Sequence, residues 1–240
     1  MKLTKILLVF STFLLNHAFS QTIKDIDGNV YKTTTINKMQ WMTSNLAVKK
    51  FNNGEKITHA QSEQEWLFAS ANKTAAWCYY EDENGIDTKT ILYNWYAVVD
   101  PRGLAPVGSH VPSTIEWKGF INSLGGVMDT PRKIVSKTGW ETNQKYEEHV
   151  ANAFNAKPVG SRYVNLTPMS HWYDGQSKGK YTNFWTSTSW NEKSTNDYAY
   201  RIGLAYNYPT IIDEMGDNFA GTLNLKGNGY SVRCVLDFIP

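Results

Sequence analysis

The chain has 240 residues, with 24 basic and 22 acidic side chains and a net charge of +2. With no basic run, it has little counterion-release drive to bind nucleic acid. Beyond its first twenty residues no stretch approaches the roughly 20 apolar residues that span a bilayer, which excludes a membrane-spanning helix from residues 21–240.

Lys2 and Lys5 precede an apolar run from Ile6 to Leu15, and Ala18-Phe19-Ser20 puts small residues at the two positions a signal peptidase reads. Residues 1–20 therefore read as a secretory signal peptide, cleaved before Gln21. The apolar run is about half the length a membrane anchor needs, and no cysteine stands at the cleavage site to carry a lipid. Loss of Lys2 and Lys5 leaves 22 basic against 22 acidic residues, a balanced chain. Residues 21–240 show no internal repeat and no Pro/Ser-rich linker, so one domain is expected. Its destination is outside the cytoplasm: extracellular, periplasmic or attached to the cell surface.

In chain order, Asp27-Gly28 predicts a tight turn leading into a strand over Val30 to Ile36. The segment Asp25 to Asn29 also resembles the start of a calcium loop, but Ile36 stands where the twelfth-position Glu is required, so the turn is preferred. Ser62 and Ser113 each precede a glutamate by three positions and an apolar cluster, which predicts helices starting after them. Pro112 and Gly125-Gly126 bound the second helix. A third helical segment is expected over Ile91 to Val98. Strands are expected over Phe184 to Ser189, Asp197 to Leu204 and Tyr230 to Leu236, the last with Tyr230, Val232, Cys234 and Leu236 on one face. Asn165 to Thr182 and Ala205 to Gly229 read as long loops. Helices early and antiparallel strands late make the fold class α+β.

Cys78 and Cys234 are the only cysteines. In an oxidising compartment they are expected to pair, restricting the unfolded chain by roughly 5 kcal/mol on the chain-entropy model. Two buried free thiols are the alternative.

Several segments, taken in order, carry a family resemblance: Asp25 to Tyr31, Gln40-Trp41-Met42 with Asn45-Leu46, Ala76 to Tyr80, and Leu92 to Val98. Leu104-Ala105-Pro106, His110 to Ser113 with Glu116-Trp117, Phe184 to Thr188 and Ser231 to Val235 complete the set. Together they resemble the Fibrobacter succinogenes major paralogous domain. Two departures stand out: Ser109 replaces a tryptophan common in that family, and Lys157 to Tyr163 replaces a glycine-rich segment. The resemblance implies an exported protein of the kind found in Bacteroidetes, with a C-type-lectin-like fold: a small twisted antiparallel sheet, two main helices and long irregular loops. It implies no particular activity, because that fold hosts lectins, receptor-binding proteins and formylglycine-generating enzymes alike.

The residues themselves name no catalytic set. The formylglycine-generating relatives use two cysteines close together near the chain end, and only Cys234 lies there. His59, His110, His149 and His171 lack metal-ligand spacing, so no metal and no cofactor is assigned. Glu81-Asp82-Glu83 reads as a solvated loop, and Trp190-Asn191-Glu192 matches only half of a calcium-lectin pattern.

What remains is an aromatic supply of nine Trp and fourteen Tyr, much of it in late loops rich in Asn and Gly, a composition typical of recognition surfaces. Trp41, Trp95, Trp117 and Trp185 are assigned to the core. Trp172, Tyr173, Trp190, Tyr206, Asn207 and Tyr208 are the ligand-contact candidates. The expected function is a secreted binding module for a glycan or a protein surface. A polysaccharide hydrolase with an unrecognised carboxylate pair and a structural cell-surface component are the alternatives.

Overall fold

A computed structural model describes residues 21–82, 85–141, 154–164, 178–190, 197–205, 208–212 and 222–237. The Asp27-Gly28 turn joins β1 (Thr22–Lys24) to β2 (Val30–Ile36), with Ile23 opposite Tyr31. The Asp25 carboxylate turns inward, accepting from the Asn29 N–H and, at 2.6 Å, from the Tyr31 hydroxyl. Oxygens that could have opened a calcium loop thus close the hairpin instead. A second turn at Asn37-Lys38 leads into β3 (Met39–Met42), whose Trp41 lies opposite Thr34.

β4 (Thr58–His59) precedes α1 (Glu63–Ala71). Ser62 caps α1 by accepting from the Glu65 N–H, but the Glu65 carboxylate reaches the Gln61 N–H instead of closing a reciprocal box. β5 (Ala76–Asp82) and β6 (Gly85–Tyr93) form an antiparallel pair, with β4 parallel to β5. Ile91 to Tyr93 therefore belong to a strand, and the helix expected over Ile91 to Val98 shrinks to α2 (Trp95–Val98). Asn94 is the cause: its side-chain oxygen accepts from the N–H groups of both Ala76 and Ala97, so the strand ends and the helix starts on one residue.

β7 (Ser109–His110) leads to α3 (Thr114–Ser123), which has the complete Ser113/Glu116 capping box. A short α4 (Thr130–Ile134) follows. β8 (Tyr181–Ser189), β9 (Tyr198–Ala205), β10 (Tyr208–Ile212) and β11 (Thr222–Leu225) make a sheet in which the other three strands all pair antiparallel to β9. The stretch expected to be loop from Ala205 to Gly229 thus holds two strands: β-prone Tyr208 to Ile212 and Thr222 to Leu225 pair with β9. β12 (Val235–Leu236) lies between β3 and β7, completing a five-stranded sheet in the order β1-β2-β3-β12-β7. The fold is α+β, mostly antiparallel, with short helices.

The expected strand over Tyr230 to Leu236 is regular only at Val235-Leu236. Before that, the chain threads among the sheets. Tyr230 exchanges backbone bonds with Tyr93, the Ser231 N–H donates to Asn183, and the Val232 and Cys234 carbonyls accept from Leu46 and Met42. Residues 226–235 are all buried, so both faces of the segment pack, and the alternation read from sequence marks no boundary with solvent.

Trp41, Trp95, Trp117 and Trp185 lie in the core as expected, and Trp66 and Trp77 join them. Trp41, Trp117, Phe120, Phe154 and Phe184 form one ring cluster, with Trp41 and Trp117 centroids 4.8 Å apart. This cluster pins α3 against β3 and β8. Each such ring removes roughly 150–250 Å² from water, so most of the tryptophan supply stabilises the framework.

The expected disulfide is not present. Cys78 packs with Ala60, Trp66 and Leu92, whereas Cys234 packs with Met42, Trp185 and Tyr230 in a different cluster. Both are buried free thiols, held apart because each fills its own apolar site.

Candidate functional site

Framework elements wall a cleft of about 430 Å³, within the ~300–1,000 Å³ range of small-molecule sites. Residues 43–47, which come directly after β3, form one side, and Asp87, Lys89, Thr90 and Ile91 of β6 form another. Residues 138–139, Asn155, residues 157–159 and Lys178 close the rim, and Arg233 forms part of the buried wall.

Asn45, Arg233, Asp87 and Lys178 are fixed by their neighbours. The Asn45 amide donates to the Ser231 hydroxyl at 2.9 Å and accepts from Arg233 Nε at 2.8 Å. Arg233 donates through Nη1 to the Met42 and Phe154 carbonyls and through Nη2 to that of Asn155. Its guanidinium lies 4.4 Å from the Phe154 ring centroid and 5.5 Å from that of Phe184. Burial pushes its pKa down to about 9, so it is still charged at neutral pH.

Asp87 accepts from the Lys89 N–H, the Thr90 hydroxyl and, at 2.8 Å, Lys178 Nζ. Burial alone would raise its pKa, and these bonds outweigh that and hold it below the usual carboxylate value. Lys178 is placed by its own N–H, which donates to the Tyr80 hydroxyl. Gly160 sits at φ 77, where an added Cβ would collide with the Tyr80 ring. The absence of a side chain at Gly160 therefore lets the 155–160 segment pass close to β5.

A second concavity runs along α1, lined by His59, Gln61, Gln64, Glu65 and the exposed Phe68. His59 stacks flat on Trp77 at 3.8 Å, and burial, with help from Lys49, lowers its pKa. A third cluster joins His110 to Glu116 and Asp237, each at 2.6 Å. With both ring nitrogens bound to carboxylates and the pKa raised to about 9, that imidazole is a fixed cation and not a proton acceptor at neutral pH. Among the described residues no group of three or more His, Cys, Asp or Glu is placed to hold a metal ion. Nor is any helix there long and apolar enough to cross a membrane.

Of the ligand-contact candidates, Trp172, Tyr173, Tyr206 and Asn207 lie outside the described residues. Tyr208 opens β10, paired with Ala205, and its side chain likewise lies outside them. Trp190 is half-buried, its ring edge-on to Tyr200 at 5.7 Å and its N–H donating to the Tyr198 carbonyl.

The cleft was not named by sequence reasoning. Its only signals were Asn45-Leu46, Arg233 and the Lys157 to Tyr163 departure, each of which stood out for another reason. A family model described as the Fibrobacter succinogenes major domain matches residues 34–236. No curated protein matches the chain, and no solved structure does.

Proposed function

We propose, from the premise that the chain belongs to the Fibrobacter succinogenes major domain family, that it is an exported binding module taking a saccharide into the cleft walled by Asn45, Thr90 and Arg233. The observation that carries this reading is the cleft itself: a concavity of about 430 Å³ lined by hydroxyl, amide and cationic groups together with the partly exposed apolar residues Ala47 and Val159. Sugars ask for that mixture, because hydroxyls need fixed hydrogen-bonding partners and ring C–H faces need apolar surface. The antiparallel sheets and serine-capped helices accord with a C-type-lectin-like arrangement, which we include in the proposal. The export in this reading is supported by the charged and apolar pattern of residues 1–20.

A glycan array probed with the purified protein tests this. Saccharide binding is expected, and Thr138→Trp, at the exposed rim of the cleft, is expected to abolish it without changing the melting temperature. Failure to bind any saccharide, or full binding by the Thr138→Trp variant, overturns the proposal.

A further inference from the structure

The cleft has a pronounced charge bias. Among the described residues, Lys89, Lys157, Lys178 and Arg233 stand on its wall against a single carboxylate, Asp87. That carboxylate is committed to Lys178. Lys89 and Lys157 are exposed, and among the described residues neither ammonium has a hydrogen bond or an ion pair. The Arg233 charge is buried with no carboxylate beside it among the described residues: its acceptors are three backbone carbonyls and the Asn45 amide. These occupy four of its five N–H donors, and the remaining one, on Nη2, has no acceptor among the described residues.

Such an arrangement runs against folding stability. Like charges gathered in one concavity repel, and a buried guanidinium loses hydration that carbonyls only partly replace. The whole chain is close to neutral, so this cluster does not reflect a generally basic surface. Low-dielectric walls focus the field of such a cluster into the opening, where it favours an anion and does nothing for a neutral sugar.

We infer that the ligand of this cleft is an acidic saccharide, whose carboxylate or sulfate group is held by Lys89, Lys157 and the free Nη2 N–H of Arg233. The inference rests on the reading of the cleft as a saccharide site. An anion there completes the guanidinium's hydrogen bonds and neutralises the two lysines, while the sugar ring covers Ala47 and Val159. Guanidinium and ammonium donors make their strongest hydrogen bonds to such oxyanions.

Isothermal titration of the purified protein with matched pairs tests the inference: tetragalacturonate against its methyl ester, and a sulfated galactan tetrasaccharide against its desulfated form. One acidic member is expected to bind at least about tenfold more tightly than its neutral counterpart, and which pair shows the difference identifies carboxylate or sulfate as the group recognised. The difference should shrink between about 20 mM and about 300 mM salt. It should vanish in the Lys89→Gln, Lys157→Gln double variant, whose exposed substitutions leave the fold intact. Equal binding of acidic and neutral members overturns the charge inference and leaves the saccharide reading standing. Lysine-dependent binding of a poly-glutamate peptide with no saccharide binding overturns both, as does binding of none of the probes.

Discussion

Arg233 lies over the face of Phe154, its guanidinium carbon 4.4 Å from the ring centroid. The same relationship recurs at the other buried cations among the described residues: Arg162 on Trp66, Arg201 on Tyr230 and Lys226 on Trp95. The only buried carboxylate described is Asp25, which is engaged with Asn29 and Tyr31. An aromatic face thus meets each of these buried cations, at roughly 0.5–2 kcal/mol per ring contact, and at Arg233 backbone carbonyls complete the set.

Arg233→Lys should therefore be severe although it keeps the charge. An ammonium cannot reproduce the planar fork that reaches Asn45, Met42, Phe154 and Asn155 together. Denaturant unfolding should show a loss of about 2–4 kcal/mol. A loss below about 0.5 kcal/mol would mean that the fork contributes little.

The His110 clamp predicts a pH-dependent contribution to stability. The Glu116 bond, opposed by burial and helped by Asp237, raises His110 to about 9. For Glu116, burial is outweighed by the His110 and Ser113 bonds, which lower it to about 2. The histidine contribution is complete below its unfolded value near 6.5 and fades as pH rises through about 9. That of the glutamate is complete above about 4.5 and fades as pH falls towards about 2. The melting temperature of His110→Gln should thus fall furthest below that of the parent between about pH 4.5 and 6.5. Screening of a half-exposed ring limits the gap to about 1 kcal/mol, or roughly 2–4 °C. A gap that stays constant from pH 5 to about pH 10 would remove the clamp from the account.

The thiols give a third test. Burial raises both Cys78 and Cys234 above the ordinary thiol value, so neither should react with a thiol reagent in the native protein. Both should react in guanidinium chloride, giving two per chain, with or without prior reduction. The melting temperature should be the same with and without dithiothreitol. A drop of several degrees on reduction would show that the two are bonded after all.

The helix starts were legible in the sequence because a cap is a local device: Ser62 and Ser113 each settle their helix within four residues. The Asp27-Gly28 hairpin is legible for the same reason. Tyr230 to Cys234 misled because period-2 alternation shows which residues share a face but not that both faces are covered. The cysteine pairing failed because compartment chemistry says whether thiols can oxidise, not whether folding brings them together. The cleft was hidden for a related reason. Asn45, Asp87, Lys157 and Arg233 come from four separate stretches of sequence, and only the threading of residues 226–235 sets Arg233 beside Asn45.

β12 sits inside its sheet, with Val235 paired to Trp41 on one side and His110 on the other. In the described sheet order it bridges β3 and β7. Trp41 and Val235 lie far apart in sequence, and a contact that closes so long a loop forms slowly, so this sheet is among the last parts of the framework to be completed.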